Sequence, residues 1–185
     1  MTFRTLSSAI IVLASAIAVT TALSAQTPDL SGTYKLNRDT SQITPGTGLA
    51  QLDRGGAPNS LYVTLAANGA LSVGSDHNQG AARMYMVGGE SVIPAAPTGT
   101  VAVKTRWEGR TLVVESSGTG PALKETWTLA PNGQTLTIVV TLTAADGPKT
   151  TTLTYAKSTT ESPCEKWPTP CRENRPAPAG RGGRG

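Results

Sequence analysis

The chain has 185 residues, a formal net charge of +4 and only 4% aromatic residues. Much of the positive charge lies in Arg4 of an N-terminal leader and in the C-terminal stretch 161–185, so the body between them is close to neutral. That body has no cluster of Lys and Arg interleaved with aromatic side chains, which excludes a nucleic-acid-binding surface. Without the leader and the tail, residues 26–160 remain, enough for one domain with its own hydrophobic core.

Residues 1–25 are typical of a signal peptide. Arg4 supplies the positive charge, and Ile10–Val19 is an apolar run followed by small residues suited to cleavage. Cleavage before Gln26 is predicted, and cleavage after Ser24 is an alternative. The other alternative is an uncleaved anchor, but the apolar run is shorter than the roughly 20 residues that cross a bilayer. We therefore expect a periplasmic or secreted protein without a membrane span.

Four short strands are predicted before residue 99, because apolar and polar side chains alternate there. They are Pro28–Asn37, the run with Leu61, Val63 and Leu65, Ala70–Ser75, and Ala82–Val87. In the last strand, Met84 and Met86 share one face and Arg83 and Tyr85 the other. A Gly- and Pro-rich loop at 42–60 is long enough to be functional or mobile. Residues 37–41 are predicted to cap a short helical turn, and 88–99 to form an irregular passage.

The stretch 99–157 gives the clearest strand signal. Its strands are predicted at Val101–Trp107, Leu112–Ser117, Leu123–Leu129 with an extension into Leu136–Thr143, and Thr150–Lys157. Tight turns are predicted where Gly109, Gly133 and Gly147 follow a polar residue, because glycine adopts a positive φ without steric cost. Leu136, Ile138, Val140 and Leu142 alternate with threonines, which predicts one buried face.

These strands predict an all-β fold of about eight to nine antiparallel strands. Short strands joined by hairpins form either a closed meander barrel or a sandwich. The absence of long crossovers favours the up-and-down barrel, and closure also removes strand edges that would aggregate.

Four motifs resemble lipocalin-like (calycin) barrels. Asp29–Asn37 resembles the first strand of these proteins, with Tyr34 where the family carries Trp. Trp107–Glu115, Glu125–Leu129 and Asn132–Thr137 are similar to small exported bacterial lipocalin-like proteins of unassigned function. The resemblance covers residues 29–157 and implies a lipocalin-like barrel. It also implies a basic residue from the last strand packed on Tyr34, for which Lys157 is the candidate.

Glu125 is the most informative polar residue. It shares a strand face with Leu123, Trp127 and Leu129, so an inward face would place a carboxylate inside the barrel. Such a group orients a ligand in an apolar pocket. Alternatively, it is solvated near the barrel mouth, is paired for structure, or is turned outward by a bulge. The predicted pocket residues are Glu125, Trp127, Leu123, Ile138, Val140, Met84 and Trp107, and the candidate polar partners are Lys104, Arg106, Arg83 and Tyr85.

The two cysteines, Cys164 and Cys171, are predicted to form a disulfide in an oxidising compartment. A redox or metal site is the alternative, but the spacing between them fits neither. His77 is the single histidine, and Asp76-His77-Asn78 has no second His or Cys that would support a metal. No catalytic residues, metal or cofactor are therefore predicted. Residues 176–185 are low in complexity and are predicted to be disordered.

Three functions follow from these observations. The first is an exported, non-enzymatic barrel that binds a small apolar or amphipathic ligand. The second is an envelope structural or protein-interaction module, or an inhibitor of a secreted protease, acting through loop 42–60 or the tail; anionic cell-surface polymer is a further partner for the tail. The third is a hydrolase or isomerase using Glu125. A cavity of about 300 Å³ or more favours the first, and a filled barrel with apolar side chains exposed on loop 42–60 favours the second. We expect a monomer.

Overall fold

The computed structural model describes residues 27–45, 47, 57–77, 82–94, 100–117 and 122–166. Within these residues the chain forms ten antiparallel strands and one short 3-10 helix at Pro163–Lys166. The strands are β1 (Gly32–Leu36), β2 (Ser60–Leu65), β3 (Ala70–Ser75), β4 (Arg83–Met86), β5 (Glu90–Pro94), β6 (Thr100–Glu108), β7 (Thr111–Ser117), β8 (Ala122–Leu129), β9 (Thr135–Ala144) and β10 (Gly147–Ser158).

The strands form one sheet that closes almost completely on itself. Each strand pairs with its sequence neighbours, except that β4 and β5 do not pair, and β1 pairs with both β2 and β10. The order is therefore β4-β3-β2-β1-β10-β9-β8-β7-β6-β5, and the two edges, β4 and β5, lie next to each other. The predicted up-and-down barrel is confirmed, with ten strands in place of eight to nine.

The strand that the sequence pattern missed is β5. Residues 88–99 are rich in Gly and Pro, which predicts turns and irregular backbone. In the structure, Glu90–Pro94 pairs with β6, with Ser91 opposite Val103. Pro94 is tolerated because it lies at the end of an edge strand, where no second ladder needs its missing N–H group.

The core fills the barrel interior. Along β9, Leu136, Ile138, Val140 and Leu142 are buried, while the residues between them are half-buried, as the alternation predicts. Leu112, Trp127 and other inner side chains from the remaining strands complete one continuous apolar cluster. The fold therefore depends on the two-residue period of its strands.

The two ends of the barrel differ. The hairpins β2–β3, β4–β5, β6–β7 and β8–β9 lie at one end, together with the start of β1; we call it the turn end. There Tyr34 and Leu30 are fully buried, and the Tyr34 hydroxyl donates a hydrogen bond to the Leu30 carbonyl at 2.9 Å. The longer connections β1–β2, β3–β4, β5–β6 and β7–β8 lie at the opposite, loop end.

The meeting of β4 and β5, which we call the seam, has no backbone ladder. The Met86 amide donates instead to the Ser91 hydroxyl at 2.8 Å. At the turn end, the Gly88 amide donates to the Thr105 carbonyl, and the Thr105 amide to the Gly89 carbonyl. The hairpin between β4 and β5 is therefore fixed to β6, while the strands beyond it lie side by side without a ladder.

The segment after β1 continues along β10 in the same direction as β1. Gln42 forms an antiparallel bridge with Thr152, with backbone hydrogen bonds of 2.7 and 2.8 Å. The predicted helical turn at 37–41 is instead a turn in which the Asn37 side-chain oxygen accepts the amides of Asp39 and Thr40. The start of loop 42–60 is thus held against the barrel wall, and residues 46 and 48–56 lie outside the described residues.

Several predicted features lie outside the described residues. They are the signal peptide 1–25, one half of the Cys164–Cys171 pair, and the tail beyond residue 166. Export, the disulfide and the disordered tail therefore stay predictions. In the part of the chain that the structure describes, no helix has the length and apolar character needed to cross a bilayer.

Candidate functional site

Glu125 points into the barrel. On β8, the side chains of Leu123, Glu125, Trp127 and Leu129 are buried, and the residues between them are half-buried or exposed. Glu125 is only 4% exposed, and its Oε2 accepts a hydrogen bond from the indole Nε1 of Trp127 at 2.8 Å. The strand thus brings a carboxylate and its donor to the same inner face.

The guanidinium of Arg83 faces the same interior from another strand, β4. Arg83, the first residue of β4, is 7% exposed, and its Cζ lies 5.9 Å from the ring centroid of Tyr85. Tyr85 is also buried, whereas the predicted partners Lys104 and Arg106 lie on the outer wall. Lys104 pairs with Glu90 at 2.8 Å, and Arg106 with Glu115 at 2.6 Å.

Arg83, Glu125 and Trp127 line one small cavity, whose volume is about 30 Å³. The rest of the lining is Pro58, Leu61, Ile138, Val140, Leu153 and Tyr155. The Tyr155 hydroxyl donates to the Pro58 carbonyl at 2.9 Å. This volume holds one or two water molecules and is about a tenth of the ~300 Å³ at which pockets for drug-sized ligands begin. The free space between these lining residues is therefore small, and the two charged groups lie around it.

The structure brings four of the seven predicted pocket residues to this cavity. Glu125, Trp127, Ile138 and Val140 line it. Leu123 is buried on the same face of β8 without lining it, and Trp107 is half-buried at the turn end. Met84 does not share the inner face of Arg83 and Tyr85. Met84 is half-buried and lies opposite Ser72, whereas Arg83 and Tyr85 lie opposite Val73 and Leu71 of the apolar core.

Pattern reasoning missed the contributions of β10 to the cavity. Leu153 and Tyr155 alternate with threonine and alanine there, so the two-residue period could have identified both. Pro58 lies just before β2, and only the closed barrel brings it next to Tyr155.

Trp107 belongs to a second, open cleft at the turn end, with a volume of about 470 Å³. The segment Thr27–Asp29 forms one side of it, and the β2–β3 turn, Val87 and Trp107 form the rest. Asp29 is held by its own turn, since its Oδ1 accepts the Ser31 amide at 2.8 Å.

Electrostatics at the turn end act on Tyr34. Burial of its hydroxyl raises the pKa of Tyr34 to about 12, and the negative charge of Asp29 adds to the effect. The Lys157 ammonium lies over the aromatic ring of Tyr34, with Nζ 5.9 Å from the ring centroid. On the outer wall, the hydrogen bond from Arg106 lowers the pKa of Glu115.

Among the described residues, no three His, Cys, Asp or Glu side chains are grouped so that they could hold a metal ion. His77 follows β3, and its amide donates to the Ser75 hydroxyl at 3.2 Å.

Comparison with known proteins shows the fold. No protein-family model matches the chain, and no curated protein does. Among solved structures, a secretary abundant heat soluble protein from Ramazzottius varieornatus aligns with a TM-score of 0.54 and 16% identity, over 71% of this chain and 98% of that one. Fatty-acid-binding protein 1 of Echinococcus granulosus aligns with a TM-score of 0.51 and 16% identity, over 69% and 96%.

A third structure, the REP1-NXSQ fatty acid transporter, aligns with a TM-score of 0.52 and 10% identity, over 71% of this chain and 98% of that chain. The fold is a calycin-type barrel. The barrel thus agrees with the lipocalin-like resemblance of its motifs. Because the sequence identities are only 10% to 16%, the comparison shows the fold alone.

Proposed function

We propose that this calycin-type barrel is non-enzymatic and binds a small apolar or amphipathic ligand in its interior, with Arg83 and Glu125 contacting the polar group of the ligand. The observation that carries the proposal is the placement of these two residues. They are the buried charged side chains of the described part of the chain, and both line the same cavity in an aliphatic interior.

Buried charges such as those of Arg83 and Glu125 contribute little to the stability of a fold. Removing an ion from water costs several kcal/mol even after the protein relaxes, and an apolar pair of similar volume is often as stable or more so. A few polar groups in an apolar interior are typical of ligand sites, where they fix the orientation of the bound molecule. Arg83 and Glu125 therefore fit a binding role better than a structural one.

A ligand with an alkyl chain needs more space than about 30 Å³. It has to displace inner side chains or widen the wall. Widening costs least at the seam, because β4 and β5 separate without breaking a backbone ladder. Arg83 lies on β4, so the same movement gives access to the charged groups.

The fold comparison supports this assignment, because two of the similar barrels are named as a fatty-acid-binding protein and a fatty acid transporter. The predicted signal peptide 1–25 supports a location of this function in the periplasm or outside the cell.

The test is titration of the purified mature protein with hexadecanol, hexadecanamide, palmitate and hexadecylamine, followed by native mass spectrometry and calorimetry. We expect one bound molecule per chain for at least one of them. Val140→Phe fills the cavity and should abolish binding, whereas Val139→Phe, whose side chain points to the outer face of the same strand, should not. Absence of binding throughout, or equal binding by both folded variants, would overturn the proposal.

A second candidate, an interaction module acting through loop 42–60, is favoured by the exposure of Ile43. Its side chain is 43% exposed on the segment that is held along β10. Ile43→Ser separates the candidates, since it should weaken association with a protein partner and leave binding of a small ligand unchanged.

A further inference from the structure

The charges around the cavity restrict the chemistry of the ligand, and this inference rests on the proposed function. Glu125 contributes a carboxylate and Arg83 a guanidinium, and both line the same small space. The two side chains therefore present opposite formal charges to the same space. Trp127 adds an N–H group that donates to the carboxylate of Glu125 at 2.8 Å.

An anionic head group does not suit this arrangement. A fatty-acid carboxylate drawn towards Arg83 would share a cavity of about 30 Å³ with the carboxylate of Glu125. Two carboxylates at such short range in a buried site repel each other strongly, because little solvent screens their charges. An alkylammonium would meet the same difficulty with Arg83. In either case, the ligand would bring a charge of like sign next to a buried charged side chain.

A neutral head group that both donates and accepts hydrogen bonds meets both residues without adding charge. A hydroxyl or a primary amide donates to a carboxylate oxygen of Glu125 and accepts from the guanidinium of Arg83. Both bonds have one charged partner, which makes them stronger than bonds between neutral groups. We propose that the ligand is a neutral amphipath, an apolar chain that ends in a hydroxyl or primary amide, and not a fatty-acid anion.

The first experiment measures dissociation constants at neutral pH, with the cavity residues unchanged, for four ligands with the same chain: hexadecanol, hexadecanamide, palmitate and hexadecylamine. Trp127 reports binding directly in the background Trp107→Phe, Trp167→Phe, because it lines the cavity. The neutral ligands should bind about tenfold more tightly than palmitate or the amine. Palmitate binding as tightly as hexadecanol would overturn the inference and leave the proposed function standing. No binding by any ligand would overturn both.

The second experiment removes one charge at a time. Glu125→Gln keeps the shape of the side chain but leaves Arg83 as the charged group of the cavity, so palmitate should bind about tenfold more tightly and overtake hexadecanol. Arg83→Gln leaves Glu125 and should favour hexadecylamine in the same way. Two variants with opposite expected shifts keep the test decisive if one of them does not fold.

Glu115→Gln is the matched control, because Glu115 lies on the outer wall beside Arg106. It should leave all four dissociation constants unchanged. Circular dichroism and urea unfolding establish which variants are folded. Unchanged ligand preference in folded Glu125→Gln and Arg83→Gln would contradict the inference.

Discussion

Lys157 lies directly opposite Tyr34 in the β1–β10 ladder, and its ammonium lies over the Tyr34 ring at the turn end of the barrel. Gly32, two residues before Tyr34, leaves the space that the lysine side chain occupies. A Cβ atom at Gly32 would lie 2.7 Å from Cε of Lys157. These three residues cover the end of the core, and Lys157 is the residue that the lipocalin-like resemblance marks as the candidate for this place.

Gly32→Ala should lower the free energy of unfolding by about 1–2 kcal/mol. Its φ of +153° is unfavourable for an L-residue, and the new methyl group displaces Lys157 from the ring. Part of the cost should disappear in a Lys157→Ala background, giving a coupling of about 0.5–1 kcal/mol in a double-mutant cycle measured by urea unfolding.

Gly133→Ala is the control for this cycle, since Gly133 also has a positive φ but nothing lies within 4 Å of the added atom. It should be destabilised by backbone strain alone, by the same amount with or without Lys157. An equal cost of Gly32→Ala in both backgrounds would show that the lysine does not occupy the space above the glycine.

Stability should fall at alkaline pH because of Tyr34. Its pKa is about 12 in the folded protein, against 10.0 for an unperturbed tyrosine. Between these values the unfolded chain releases the phenolic proton first, so the stabilisation is complete below pH 10 and is lost as the pH rises towards 12. The loss attributable to Tyr34 should reach about 2–3 kcal/mol.

The measurement is urea unfolding of the wild type and Tyr34→Phe at several values between neutral pH and pH 12. At neutral pH the variant should be less stable by about 1 kcal/mol, because the hydrogen bond to the Leu30 carbonyl is absent. The difference should shrink and then reverse as the pH rises. Parallel curves for the two proteins would mean that the buried hydroxyl does not resist ionisation.

The sequence predicts the parts of this fold that depend on local alternation. The period of two in β9 gives the buried face of Ile138 and Val140, and the alternation in β8 puts Glu125 beside Trp127 on the inner face. Each of these follows from a long strand whose apolar side is unambiguous.

Features that depend on closure of the barrel could not be predicted. The strand β4 has four residues, and alternation divides them into Met84 with Met86 and Arg83 with Tyr85 without saying which pair faces inward. Hydropathy favours the methionines, but pairing with Leu71 and Val73 of β3 turns the arginine and tyrosine inward. Arg83 of β4 and Glu125 of β8 line the same cavity although they are about forty positions apart in the sequence. No local pattern encodes such a contact.

Replacing one charged residue of the cavity should destabilise the protein more than replacing both. Glu125→Leu leaves the Trp127 N–H group without its acceptor and the guanidinium of Arg83 facing a cavity without a carboxylate, which costs about 3–5 kcal/mol. Arg83→Leu should have a similar effect. The double variant should recover at least half of the summed loss in urea unfolding.

Lys104→Leu with Glu90→Leu gives the surface comparison for this cycle. These partners lie 2.8 Å apart but are well exposed, so their coupling should not exceed about 1 kcal/mol. Additive effects of the two cavity substitutions would contradict the electrostatic relation between Arg83 and Glu125.

The segment after β1 should depend on one buried hydroxyl, that of Thr151. Its Oγ1 accepts the Thr44 amide at 2.8 Å and donates to Thr47 Oγ1 at 3.1 Å. Thr151→Val keeps the shape but removes the hydrogen bonds of this hydroxyl, so the free energy of unfolding should fall by about 1–3 kcal/mol. The neighbouring Thr150→Val, on the exposed face, should change it by less than about 0.5 kcal/mol. Equal effects would show that the segment is held without this hydroxyl.

Amide hydrogen exchange should identify the seam as the weakest part of the wall. The central strand β9 is paired on both sides, by β8 and β10, whereas β4 and β5 are each paired on one side. Amides of β9 should therefore exchange only through global unfolding, and those of β4 through local opening at much lower free energy. Exchange followed by mass spectrometry of peptides from both strands measures the difference.

Ser91→Ala removes the hydrogen bond across the seam in which the Ser91 hydroxyl of β5 accepts the Met86 amide of β4. Its removal should accelerate exchange at Met86 and leave β9 unchanged, because no ladder takes over the lost contact. Ser116→Ala removes a hydroxyl that donates to the Leu123 carbonyl between two strands already joined by a ladder, so it should have little effect on exchange. If β4 were protected as strongly as β9, the wall would be closed at this point, and a ligand would have to enter the interior from the loop end.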